Sequence, residues 1–157
     1  MQAFTNNNVG NIRFVPSIKW QGQVGNKNGF AVFDTVSNGV RAMVKQLNTY
    51  KSRGLNTIQE IITTYAPPNE NDTTEYIATV SKITKIPATK ILTPEDYKAV
   101  ITAMIKVEKG YYPDVSTKPL IDKFVNEIIA SAESAKDTGL TIGVVAALAA
   151  LAYFVLK

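Results

Sequence analysis

Apolar residues recur at helical spacing through most of this chain, and each such run opens and closes on residues that start or stop helices. Val36, Val40, Met43, Val44, Leu47 and Tyr50 form one face, which Gly54 ends. Thr57-Ile58-Gln59-Glu60 is a capping box opening a short helix through Ile61, Ile62 and Tyr65, and Pro67-Pro68 stops it. Asp72-Thr73-Thr74-Glu75 is a second cap, leading Tyr76, Ile77 and Val80 onto a new face. Thr93-Pro94-Glu95-Asp96 starts the next helix, with Pro94 in the tolerated first position, and Gly110 closes it. Thr117 and Pro119 open a last helix, apolar at Leu120, Ile121, Phe124, Val125, Ile128, Ile129 and Ala132, that either packs on the domain or forms a stalk. Only residues 12–15 and 30–33 read as strands, joined across the Gly/Asn-rich stretch 22–29 as a loose hairpin. The expected class is mainly α, an α+β domain with a small β-hairpin.

The last segment breaks this pattern. Residues 139–156 carry no charge and are apolar on every face, and Lys157 follows. As a helix they would span about 27 Å, against a hydrocarbon core of ~30 Å. So apolar a helix is hard to bury in a small domain, and Tyr153 and Lys157 stand where interfacial anchors stand. A transmembrane anchor over 139–157 is expected, after a soluble domain at 1–116 and a stalk or packing helix at 117–138. The first residues, Met1-Gln2-Ala3-Phe4, have neither the basic region nor the apolar run of a signal peptide.

Composition narrows the chemistry. The 157 residues include neither cysteine nor histidine. That excludes Ser-His-Asp and Cys-His mechanisms and leaves zinc without its usual ligands. An acid or base would have to be one of 13 carboxylates, a lysine or a tyrosine. Glycoside chemistry needs only carboxylates and no cofactor or metal. The net charge of +4 suits an anionic polymer, but no basic cluster points to nucleic acid.

One carboxylate stands out. Extending the face Tyr97, Val100, Ile101, Met104 and Ile105 by helical spacing lands on Glu108, an acid on the side that should be buried. Desolvation and the dipole at a helix C-terminus both disfavour negative charge there. A carboxyl held in its acid form is what a glycosidase uses to protonate a leaving oxygen. The alternative is that Glu108 rotates outward toward Lys109 or solvent. Glu70 is the rival acid, and Asp114, six residues beyond Glu108, is a weaker one in an ordinary Pro-Asp turn.

A denser polar constellation lies upstream. It runs Asn6-Asn7-Asn8-Val9-Gly10-Asn11-Ile12-Arg13, then Trp20-Gln21-Gly22, Phe30-Ala31-Val32-Phe33, Gly39-Val40-Arg41-Ala42 and Tyr65-Ala66-Pro67-Pro68-Asn69-Glu70-Asn71-Asp72-Thr73, with Tyr76 after it. Amides hydrogen-bond to hydroxyls and aromatic rings stack on sugar faces, so this run suits a glycan groove. It resembles a bacteriophage and prophage domain with the pattern N-N-P-G-N-I-R, W-x-G, F-x-x-F, G-x-R-A, Y-A-P-P-x-E-N-D-T-x-x-Y, over roughly residues 6–110. Val9 stands where that pattern has proline.

The domain is regarded as a peptidoglycan-cutting relative of the lysozyme-like enzymes, of lytic transglycosylase type. The resemblance implies a lysozyme-like helical fold, with Glu108-Lys109-Gly110 as the helix end that carries the catalytic acid. The hairpin and Asn block lie before that helix rather than after it, which points to a circular permutation. Glu108 would then pack against Asn7, Asn8 and Arg13. Asn7, Asn8, Asn11, Arg13, Trp20, Tyr65, Tyr76 and Tyr111 are the candidate substrate-binding residues; Arg13 and Arg41 alternatively pair with Asp34 or Glu60.

The function expected is opening of the host wall during entry by a virion protein of a membrane-containing phage. Its partners would be peptidoglycan glycan strands, the bilayer through residues 139–156 and other virion proteins. It would sit in the virion membrane, and in the host membrane during assembly. The alternative is a non-catalytic structural or glycan-binding membrane protein of a virion.

Overall fold

Side-chain oxygens at the N-caps decide where the helices begin. A computed structural model describes residues 6–69, 71–110, 113 and 116–137. Five helices and one hairpin follow in the order β1 (Gln23–Lys27), β2 (Phe30–Phe33), α1 (Val36–Ser52), α2 (Ile58–Tyr65), α3 (Thr73–Thr84), α4 (Pro94–Lys109) and α5 (Thr117–Asp137). Thr35 caps α1, Asp72 caps α3, and Thr57 and Thr93 form full capping boxes with Glu60 and Asp96. Gly110 ends α4 in the left-handed conformation, its N–H returning to the Lys106 carbonyl. These boundaries follow the sequence signals closely because capping is local.

The hairpin differs from expectation. The Gly/Asn-rich stretch is not its loop: residues 23–27 are β1 itself, turning at Asn28-Gly29 into β2. Residues 12–14 lie along the other edge of β2, where Arg13 bridges Phe30 and backbone bonds join Ala31 N to the Ile12 carbonyl and Phe14 N to the Gly29 carbonyl. They pair too briefly to form a strand of the sheet. Antiparallel β1 and β2 pair Gln23 with Phe33 and Gly25 with Val32, so Val24 is an extra residue bulged out of the ladder.

The core joins β2 and the five helices. Phe33, Met43, Leu47, Ile58, Ile61, Ile62, Ile101 and Met104 are fully buried, α3 packs on α2 and α4, and α5 packs on α1 and α4. The first half of α5 docks through Ile121, Phe124 and Val125, while residues 130–134, including Ala132, are exposed. The helix therefore packs at its start and projects at its end. Among the described residues no helix is long and apolar enough to cross a membrane. The apolar stretch 139–156 lies outside them.

Three of the carboxylates that fasten element starts are held below their usual range. The chief cause is a hydrogen bond from Asn38 for Asp34, from Thr57 for Glu60 and from Lys90 for Asp96. Their folded values lie below their unfolded ones, so the folded chain binds fewer protons across that window. The stabilisation is whole above the unfolded values, near pH 4, and is lost as pH falls through the folded ones. Tm should stay level from pH 7 to 5 and drop below 4, and Glu60→Gln should remove part of that drop in a thermal scan.

Candidate functional site

Glu108 turns inward, and two other segments meet on its carboxylate. Asn11 Nδ2 donates to Oε2 at 2.8 Å, and the Tyr76 hydroxyl donates to Oε1 at 2.8 Å. Asn11 also faces the Glu108 carbonyl at 3.4 Å. The neighbouring Lys109 ammonium donates to Asn11 Oδ1 at 2.7 Å. That contact sets the orientation of the amide: with its oxygen engaged by Lys109, its NH2 end must face Glu108. Glu108 itself is half-buried, so a ligand can approach it.

Each segment is brought here for a local reason. The buried Thr73 hydroxyl donates to the Ala66 carbonyl, tying the start of α3 to the end of α2 and setting Tyr76 near Tyr65. The Tyr65 hydroxyl donates to the Gly10 carbonyl, which holds down the loop before Asn11. Asn7 and Asn11 both have left-handed backbone, at φ 52° and 49°, a conformation that Asn tolerates better than most residues. A side chain on Gly10 would begin 2.6 Å from the Tyr65 hydroxyl. Any larger residue would have to push the Tyr65 hydroxyl and the Met43 side chain aside.

Burial shapes the charges. It pushes the Tyr76 and Tyr65 hydroxyls well above the ordinary tyrosine value, and the charge of Glu108 adds to the effect. Both therefore remain neutral hydrogen-bond donors near neutral pH. Burial pulls the Lys109 ammonium down from the ordinary lysine value, against the opposing attraction of Glu108.

The candidate residues divide into those at the acid and those that support it. Asn11 and Tyr76 touch Glu108, and Tyr65 stands one link away. Asn7 and Asn8 do not reach it, contrary to expectation. The Asn7 amide donates to the Phe33 and Asp34 carbonyls at 2.8 and 3.0 Å. Asn8 is wholly buried: it donates to the Ile12 and Ala31 carbonyls at 2.9 Å each and accepts from Ile12 N at 2.8 Å. No solvent reaches that amide, so it is a fastener of the loop rather than a glycan contact.

The Arg13 guanidinium lies over the Phe30 ring at 5.5 Å and that of Arg41 over Phe124 at 5.8 Å, while Asp34 and Glu60 serve caps instead. Trp20 lines a separate cleft that shares no residue with the Glu108 cluster. Glu70, Tyr111 and Asp114 lie outside the described residues. Lys109 is the residue that sequence reasoning missed as part of the inward cluster. The only signal was its place beside Glu108, and that suggested an outward contact.

No family model matches this chain. It is similar to Protein P5 of Pseudoalteromonas phage PM2, with 45% identity over 85 residues, 54% of this chain and 53% of that protein. The chain thus spans about half the length of the relative it matches.

Proposed function

We propose that this chain is a virion-associated enzyme that cleaves the β-1,4 glycan strand of peptidoglycan, with Glu108 as acid and then base. The observation that carries the reading is the Glu108 carboxylate: half-buried at a helix end and held through both oxygens by Asn11 and Tyr76. The motif resemblance and the similarity to a phage protein support it. Asn11 precedes Glu108 by 97 residues yet closes on it at the end of α4, which agrees with a permuted lysozyme-like arrangement. Residues 139–156 would anchor the protein in the virion membrane.

The described residues that bond to Glu108 include no second carboxylate. Two-carboxylate glycosidases hold their second acid within ~5–9.5 Å of the first. With Glu108 taken as the single acid, attack falls to the sugar's own 6-hydroxyl. Glu108 gives its proton to the bridging oxygen, the C1–O bond breaks, the 6-oxygen bonds to C1, and the hydroxyl proton returns to Glu108. A hydrogen bond to the carboxylate must yield when the bridging oxygen engages. Tyr76 is suited to yield because its O–H rotates freely, whereas Asn11 is clamped by Lys109.

Full-length protein should clear a peptidoglycan-embedded gel, and mass spectrometry of the digest should show 1,6-anhydromuramyl ends. Reducing muramic acid ends would mean hydrolysis through another carboxylate, and reducing N-acetylglucosamine ends would mean cleavage of the other bond.

One observation favours a second reading, a non-catalytic virion membrane protein. Lys109, Asn11, Glu108 and Tyr76 form a continuous chain of hydrogen bonds, which can equally serve to clamp the N-terminal loop to α4. An intact fold with no clearing by wild type would select it.

A further inference from the structure

The bulge in β1 has a counterpart on the surface. Val24 is 66% exposed, and Val15 is 39% exposed. Only one other large hydrophobic among the described residues, Ile91, is so exposed. Val15 and Val24 belong to the segments 14–16 and 23–25. Between these segments lies a cleft of about 300 Å³ lined by Phe14, Pro16, Lys19, Trp20, Gln23 and Val24. That volume is at the lower end for small-molecule sites.

The lining is ordered for a particular chemistry. Trp20 packs partly against the core, so its ring is held rather than swinging free. Trp20 N donates to Gln23 Oε1 at 3.3 Å and Gln23 N returns to the Trp20 carbonyl at 3.1 Å. That exchange uses the amide oxygen and leaves the NH2 end as a donor. Lys19 is exposed and supplies a cation. An indole face, an amide donor and an ammonium match an N-acetylated amino sugar that carries a carboxylate: the ring stacks, the acetyl carbonyl accepts, and the acid meets the lysine. A protein strand added to the free edge of β1 would use backbone bonds instead and would have no need of the indole.

We infer that the Trp20 cleft is a second glycan-holding site, one that grips an N-acetylated, carboxylate-bearing strand of the wall apart from the Glu108 cluster. The inference rests on the proposed function for its substrate class but not on catalysis. Its role is to hold the protein on an insoluble polymer.

Trp20 is the sole tryptophan of the chain, so its emission reports on this cleft directly. Full-length protein carrying Glu108→Gln, which prevents turnover, is titrated with sonicated soluble peptidoglycan and co-sedimented with intact sacculi. Emission should shift and saturate with the soluble fragments. Trp20→Ala should weaken sedimentation roughly tenfold. Lys19→Glu, at an exposed position that leaves the fold alone, should weaken it as well and make it less sensitive to salt.

Unchanged emission at saturating fragments, or Lys19→Glu sedimenting like its parent, overturns the inference. The two readings fail separately. Wild type that sediments with shifted emission but never cuts sinks the catalytic reading alone. Wild type that cuts with unmoved Trp20 emission sinks this one.

Discussion

Replacing Glu108 by Gln is expected to lower peptidoglycan cleavage by at least about a hundredfold while leaving Tm within a few degrees of wild type. The rate effect follows from loss of the transferable proton, since positioned general acids contribute roughly 10²–10⁴-fold. The small stability effect follows from the geometry. A Gln carbonyl still accepts from Asn11 Nδ2, and a Gln NH2 can donate to the Tyr76 hydroxyl, which reverses its role because a phenol both donates and accepts. Every polar group keeps a partner, so activity and stability should separate in this variant. Tyr76→Phe offers the contrast: it removes one partner from a half-buried carboxylate and should lower Tm as well. The test is a rate assay and a melting curve on the same preparations. Full activity in Glu108→Gln would remove Glu108 from the chemistry and turn attention to Glu70.

Gly39→Ala should destabilise the fold by roughly 3 kcal/mol or more, the upper end for overpacked sites. A Cβ at this position would lie 1.8 Å from the Asn7 carbonyl oxygen and 3.0 Å from its carbon. Those atoms belong to the backbone, so no rotamer change relieves the clash; either α1 or the N-terminal loop must move. Displacing the loop would strain the bonds from Asn7 to residues 33 and 34 and those that Asn8 makes in the core. Asn11 would then lose its aim at Glu108, so activity should fall together with stability. Gly25→Ala is the control, because nothing lies within 4 Å of a Cβ there and its backbone is not left-handed. Urea melts of the two variants decide the matter: equal midpoints would mean that the loop does not depend on contact with α1.

The sequence by itself determined the helices and the side of α4 on which the acid lies. Thr57 with Glu60, Thr93 with Asp96 and Gly110 act on backbone groups a few residues away, and such local interactions operate in any compact fold. The face ending at Glu108 was legible for the same reason, because helical spacing dictates direction. The division of labour among the asparagines was not legible. Asn7, Asn8 and Asn11 are the same residue type within five positions, yet one ties β2 to the loop, one is sealed in the core and one meets the acid. What separates them is which distant carbonyl or carboxylate comes within 3 Å: Phe33, Ala31 and Glu108 lie 26, 23 and 97 residues away. Only tertiary structure decides such partners, since a short amide takes its role from whatever polar group packing leaves beside it. The partner strand of the hairpin was not legible for a related reason. Residues 12–14 have strand character, but pairing depends on which edge of β2 they reach, and the loop tied down by Asn8 and Gly39 allows them only a brief bridge.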